Sequence, residues 1–244
     1  MRRIAIISIF ILLACAVVHA AQVKVEATPL PAFRPALPGS GPDAIVNRID
    51  TTGLIKNGQK DGYIMFSCAV SKTGEVIWSG TYHGTVETRI LEEEVLKRLD
   101  KAKFVPAVYE HQPVEVIFYG TVVFANINGK ARLRIFCNQE LDELKKESDF
   151  VSPQPVFGAS SAFDGFHYPK DIPVVMKGFV EVEIEITAAG KYSIAKVTTE
   201  EPPLIGFGEA ALKDLYLAKF VPAFRNGKPV ASKTTLHVFY KSDV

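Results

Sequence analysis

The sequence predicts an α+β fold of two tandem ββαβ domains, the first lengthened by an extra strand and a short helix. Three observations lead there. The hexapeptide AKFVPA stands at 102–107 and again at 218–223. Sliding the chain by 116 residues lays 62–124 on 178–240 without a gap, with fifteen identities in sixty-three positions. Within each copy a two-residue apolar period gives way to a helical one and then returns. A register held this long means a duplicated folded unit, and the period far exceeds the ~20–50 residues of solenoid repeats.

The elements follow in order. Arg2 and Arg3 precede an apolar run from Ile4 to Val18, and Val18-His19-Ala20 offers small residues for cleavage. Fifteen residues fall short of the ~20 a spanning helix needs, so 1–20 reads as a cleaved signal peptide and the compartment as the periplasm. Leu12-Leu13-Ala14-Cys15 also resembles a lipobox, which would place a lipid on Cys15. Residues 21–44 form a Pro-rich lead-in, with Thr28 to Pro42 read as a semi-extended linker. The first domain covers 45–150, a second lead-in 151–173 and the second domain 174–244.

In the second copy Val180, Val182, Ile184 and Ile186 alternate with Phe179, Glu181, Glu183 and Glu185, one buried face against one wet face. Ile64, Phe66, Cys68 and Val70 take the inward role in the first. Thr73-Gly74 and Ala189-Gly190 close the hairpins, where glycine permits positive φ. Leu91, Val95, Leu99 and Ala102 recur at helical spacing, as do Phe207, Ala211, Leu215 and Ala218. Each set is an apolar stripe that must cover its sheet. Pro106 and Pro222 stop the helices. Arg225-Asn226-Gly227-Lys228 is a turn, replaced by Tyr109-Glu110-His111-Gln112 in the first copy. Last strands run over about 115–125 and 231–241. In the first copy Asn128-Gly129 returns the chain into a strand at 130–136, followed by a short helix near 139–147. That strand covers the first copy's last strand, and the second copy has no counterpart, so its last strand reads as an open edge.

A net charge of +1 gives no footprint for nucleic acid. No CxxC or Cys/His zinc spacing occurs, and His83, His111, His167 and His237 are scattered. There is no GxSxG elbow, P-loop or GxGxxG, and Ser160-Ser161 has no local base. No metal, cofactor or catalytic residue is therefore expected. Glu181, Glu183 and Glu185 share a face as a cation site would, and also as solvated strand charges do. Trp78 and Tyr82 fit an aromatic contact surface or core packing. Export permits a disulfide between Cys68 and Cys137, and two buried free thiols fit the same strand positions.

The ordered motifs, with Tyr168-Pro169 ten residues before Gly178, resemble the C-terminal domain of TonB. The resemblance covers about 168–241 well and 50–125 less well, since Thr52-Gly53 stands where the first copy would need Tyr-Pro. It implies three-stranded antiparallel sheets each crossed by one helix, no enzymatic activity, and addition of an extended peptide, such as the TonB box of an outer-membrane receptor, at a sheet edge. The edge it implies is the last strand, Ser232, Lys233, Thr234, Thr235, Leu236, His237, Val238 and Phe239, with Tyr168 and Pro169 leading in. The chain departs from an energy transducer: Ser8 and His19 lie in the removable segment, and Thr28–Pro42 reaches only about 45 Å when extended. An architectural envelope protein that forms homodimers through its sheet edges is the alternative.

Overall fold

The computed structural model describes residues 28–158, 161–170, 172 and 176–240. The signal-peptide segment with Cys15, and Ser160, lie outside the described residues. β1 (Phe33–Arg34) precedes the short helices α1 (Ile45–Arg48) and α2 (Thr51–Lys56). β2 (Gly62–Val70) and β3 (Val76–Gly84) form a hairpin, then α3 (Arg89–Leu99), β4 (Ala107–Tyr109) and the long β5 (Gln112–Ile127). β6 (Lys130–Phe136), α4 (Leu141–Lys145) and β7 (Gln154–Phe157) lead to the hairpin of β8 (Gly178–Ile186) and β9 (Tyr192–Glu201). α5 (Phe207–Leu215), β10 (Lys219–Val221), β11 (Ala223–Arg225), β12 (Lys228–Val230) and β13 (Ser232–Tyr240) complete the chain. The fold is α+β with antiparallel pairing throughout the described strands.

The backbone ladders keep the spacing of the sequence. β2 pairs β5 from Gly62↔Phe124 to Val70↔Val116, and β8 pairs β13 from Gly178↔Tyr240 to Ile186↔Ser232. Each pair of the second ladder stands 116 residues beyond one of the first. The hairpins share their irregularities too, at Met65/Phe66 and Ala69/Val70 and again at Glu181/Val182 and Glu185/Ile186. Strand order is accordingly β5–β2–β3 in one sheet and β13–β8–β9 in the other.

Repeated glycines explain part of this identity. Gly74 has φ +91° and Gly190 φ +74°. A Cβ on either would stand 2.1 Å from a carbonyl oxygen, that of Phe104 or of Phe220. The amides of Phe104 and Phe220 donate back to the two glycine carbonyls at 2.8 and 3.2 Å. The FVPA segment therefore docks on a hairpin turn that only glycine can form. Both helical stripes are buried, and Glu200 Oε1 accepts the Gly206 and Phe207 amides at 2.8 Å, satisfying the start of α5.

Two cores result. Phe66, Phe104, Phe118 and Val95 belong to the first; Val182, Phe207, Leu215 and Leu236 belong to the second. Ile117 and Tyr119, on the face of β5 turned away from α3, also belong to the second core. β2 and β5 are thus covered on both faces, whereas the outer face of β8 carries half-exposed glutamates.

The lead-ins differ from free linkers. β1 pairs β4, Leu37 bridges Val105, and Ala36 is fully buried. β7 pairs both β10 and β5, joining the halves, with Gln154 level with Val221. Val221 stands 116 residues beyond Val105, so the two lead-ins dock at matching places. β1, flanked by Pro31 and Pro35, can be this short because an edge position needs few backbone donors.

The disulfide reading is corrected: Cys68 and Cys137 are free. Cys68 lies on β2 level with Phe118 of β5, and Cys137 follows β6 on the opposite side of β5. Two strand spacings separate them, ~10 Å, beyond the ~4.4–6.8 Å that a bridge spans. Burial pushes both thiols up, Cys137 to about 12.

Candidate strand-edge site

β13 is the edge strand of its sheet, and among the described residues no strand pairs with its outer side. Thr234, Leu236, Val238 and Tyr240 are buried, the last three in one core with the α5 stripe. Lys233, Thr235, His237 and Phe239 lie on the other face; Ser232 begins the strand. Lys233 Nζ reaches Glu183 at 2.8 Å. Glu181 faces His237 at 3.4 Å and accepts from Thr199 at 2.6 Å. These glutamates are therefore engaged across strands as ordinary sheet charges. Among the described residues no group of three or more His, Cys, Asp or Glu side chains could hold a metal ion.

The middle of the edge has an unusual cover. In an antiparallel ladder each residue aims its N–H and C=O to one side. Thr235 aims both outward. Gln139 Nε2 donates to the Thr235 carbonyl, the Glu140 carboxylate accepts from the Thr234 hydroxyl, and the Thr235 amide helps to hold that carboxyl down. Tyr82 donates its hydroxyl to Gln139 Oε1. Burial pushes the Glu140 carboxyl up, against the two hydrogen bonds that hold it down. Beyond Thr235 the strand leans on the outer face of β3: Tyr82 stacks on His237 at 4.8 Å and meets Phe239 at 5.8 Å. Burial depresses the His237 imidazole below its ordinary value, helped by His83 and opposed by Glu181, and Nδ1 is buried without a partner.

Before Thr235 the edge opens on a cleft of about 850 Å³. Ser232, Lys233 and Thr235 form one wall; Leu141, Glu143 and Lys145 of α4 lie across it. Arg225 ties α4 down through Glu143 at 2.8 Å and lies over the Phe150 ring at 5.0 Å. A second groove, about 680 Å³, is lined by Trp78, Phe157, Phe166, Tyr168 and Phe239 among others. Trp78 is 44% exposed there, while Tyr82 is built into the contact between the halves.

The other sequence candidates have structural partners. The Tyr168 hydroxyl donates to the Met176 carbonyl at 3.0 Å and accepts the Met176 amide at 3.1 Å, with its ring edge-on to Phe207. Pro169 beside it is half-buried. His111 Nδ1 bonds Leu30 O at 2.7 Å, and His167 sits on Asp214. The short helix expected near 139–147 is present as α4, but the sequence reading gave neither it nor Gln139 and Glu140 a place at the edge. The one local signal of Gln139 and Glu140 is the polar run Asn138-Gln139-Glu140 that follows Ile135-Phe136-Cys137. No protein-family model and no curated protein matches the chain.

Proposed function

We propose that this chain is a non-catalytic, exported cell-envelope protein made of two tandem TonB-like ββαβ domains. The second takes an extended peptide as an added strand, with the TonB box of an outer-membrane receptor as the partner class. One observation carries the reading: among the described residues no strand pairs with the outer side of β13, and a cleft of about 850 Å³ borders it beside Ser232–Thr235. In that mode backbone hydrogen bonds supply affinity and alternate side chains supply selection. Lys233 and Thr235 would meet the guest ladder, and the charged ends of α4 would face its side chains.

An NMR titration with TonB-box peptides tests this. Shifts centred on the Ser232–His237 amides are expected, and Thr235→Pro should abolish them by removing an outward N–H. Shifts confined to other strands, or none at millimolar peptide, would overturn it.

A second reading, architectural self-association, is favoured by β9, whose outer side has no strand partner among the described residues and whose Ile194 is 57% exposed. Sedimentation separates the two: an edge-to-edge dimer blocked by Ile194→Lys supports assembly, and a monomer at high concentration excludes it.

A further inference from the structure

Gln139 and Glu140 offer Thr235 one N–H donor and one oxygen acceptor. A residue of a neighbouring strand would offer the same two groups. We propose that this pair is a built-in stand-in for a guest strand, seated on Thr235 when no partner is bound and displaced when an extended peptide pairs there. The inference rests on the strand-addition reading above.

The surroundings suit a part that moves on a part that does not. Asn138, at the root of the pair, is fully buried. Its carbonyl accepts the Thr121 hydroxyl at 2.8 Å, and its Nδ2 donates to the Phe150 carbonyl at 2.9 Å. The backbone is therefore held while the two side chains reach forward. Both line the cleft, so a swing away from Thr235 carries them into open space rather than into the core. Glu140 is a carboxylate in a partly buried place, and it regains water on leaving.

Gln154 also bonds both backbone groups of one residue, taking the Ala36 amide at 2.8 Å and giving to the Ala36 carbonyl at 2.9 Å. That glutamine is 1% exposed and borders neither cleft. It is a permanent cap with nowhere to go. The Gln139–Glu140 pair instead meets Thr235 beside a cleft, where a guest could replace it.

Displacement exchanges two hydrogen bonds for two others, so the stand-in weakens guest binding by roughly ten-fold, the scale of one or two net hydrogen bonds. Two measurements on the whole protein test this. The first needs no ligand. In Glu140→Ala, hydrogen exchange at the Thr235 amide should accelerate about ten-fold or more, while the Leu236 amide, which faces β8, should not change. Glu140→Gln keeps an acceptor oxygen and should restore protection, which separates capping from damage to the fold. Unchanged Thr235 exchange in Glu140→Ala overturns the proposal.

The second measurement uses a random-peptide phage library as probe, selected on the wild type and on the double variant Gln139→Ala, Glu140→Ala. Selected peptides should shift the Ser232–His237 amides and bind the double variant about ten-fold more tightly. Peptides that shift those amides but bind both proteins equally overturn the stand-in and leave strand addition intact. A library that returns no peptide reaching those amides in either protein overturns both.

Discussion

Replacing Gly190 with alanine tests the physical basis of the repeat. Gly190 sits at φ +74°, with the Phe220 carbonyl oxygen 2.1 Å from where a Cβ would stand. Holding an alanine in the left-handed region costs ~1–2 kcal/mol. The Phe220 carbonyl must then withdraw by about an ångström, which loosens the 3.2 Å bond from the Phe220 amide to Gly190, for another ~1 kcal/mol. The Phe220 ring is fully buried, so its displacement adds strain of ~1–3 kcal/mol. The expected loss is about 3–6 kcal/mol, a large share of the ~5–15 kcal/mol of a typical domain. Urea unfolding, with the midpoint read at fixed slope, measures it. Gly74→Ala should lose as much, since its Cβ would meet Phe104 O at the same 2.1 Å. Gly80→Ala is the control: nothing stands within 4 Å of its Cβ, and the change should be within ~0.5 kcal/mol. A loss below ~1 kcal/mol at Gly190 and Gly74, or an equal loss at Gly80, would refute the reasoning.

Protonating His237 should destabilise the protein. Its folded value is depressed, so its stabilising share is complete above the ordinary value of 6.5 and declines as pH falls through 6.5 toward the folded value. Subtracting the pH–stability profile of His237→Gln isolates this, and a flat difference between 7.5 and 5 would contradict it. Under native conditions alkylating reagents should leave Cys68 unmodified, while denaturant exposes both Cys68 and Cys137; mass spectrometry showing a linked Cys68–Cys137 peptide would refute the free-thiol geometry. Glu110 holds φ +49° in the tight turn where the second copy has Asn226 at φ +50°. Glu110→Asn should therefore raise stability by ~0.5–1 kcal/mol in thermal unfolding, and a fall would show that the exposed glutamate has an unrecognised contact.

The ladder was legible because its determinants are local. Alternation over Val180–Ile186, glycines at the turns and stripes such as Phe207–Ala211–Leu215 each speak within a few residues, and all three recur. The lead-ins were not, because Phe33, Leu37 and Gln154 join strands more than sixty residues away. Proline there suggests a linker from composition, and only the partner strand reveals an edge. The site was half legible for the same reason. An uncovered last strand follows from counting strands, but the seat of Gln139 and Glu140 on Thr235 bridges residues 94–96 apart and follows no period. The Cys68–Cys137 alternative failed on lateral distance, which alternation along a strand does not encode.

Matched positions in the two copies also show how the halves divide their work. Met65, Ser67 and Ala69 of β2 stand 116 residues before Glu181, Glu183 and Glu185 of β8. The backbone is the same, but the first set is buried and the second is half-exposed or exposed. Ala69 is level with Ile117 and Trp78, on the face that meets the second half. That face needs apolar or small side chains, because a carboxylate placed there has no cation to pair with and loses its water. Ala69→Glu, which copies the residue of the second unit, should therefore cost ~3 kcal/mol or more. The reverse change, Glu185→Ala, should stay within ~0.5 kcal/mol. Both are read by urea unfolding. If Ala69→Glu is tolerated, the outer face of the first sheet is open to water, and the leaning of β13 on Tyr82 does not hold in solution. If Glu185→Ala is costly instead, the charged face of the second sheet carries contacts that an exposed strand face would not have.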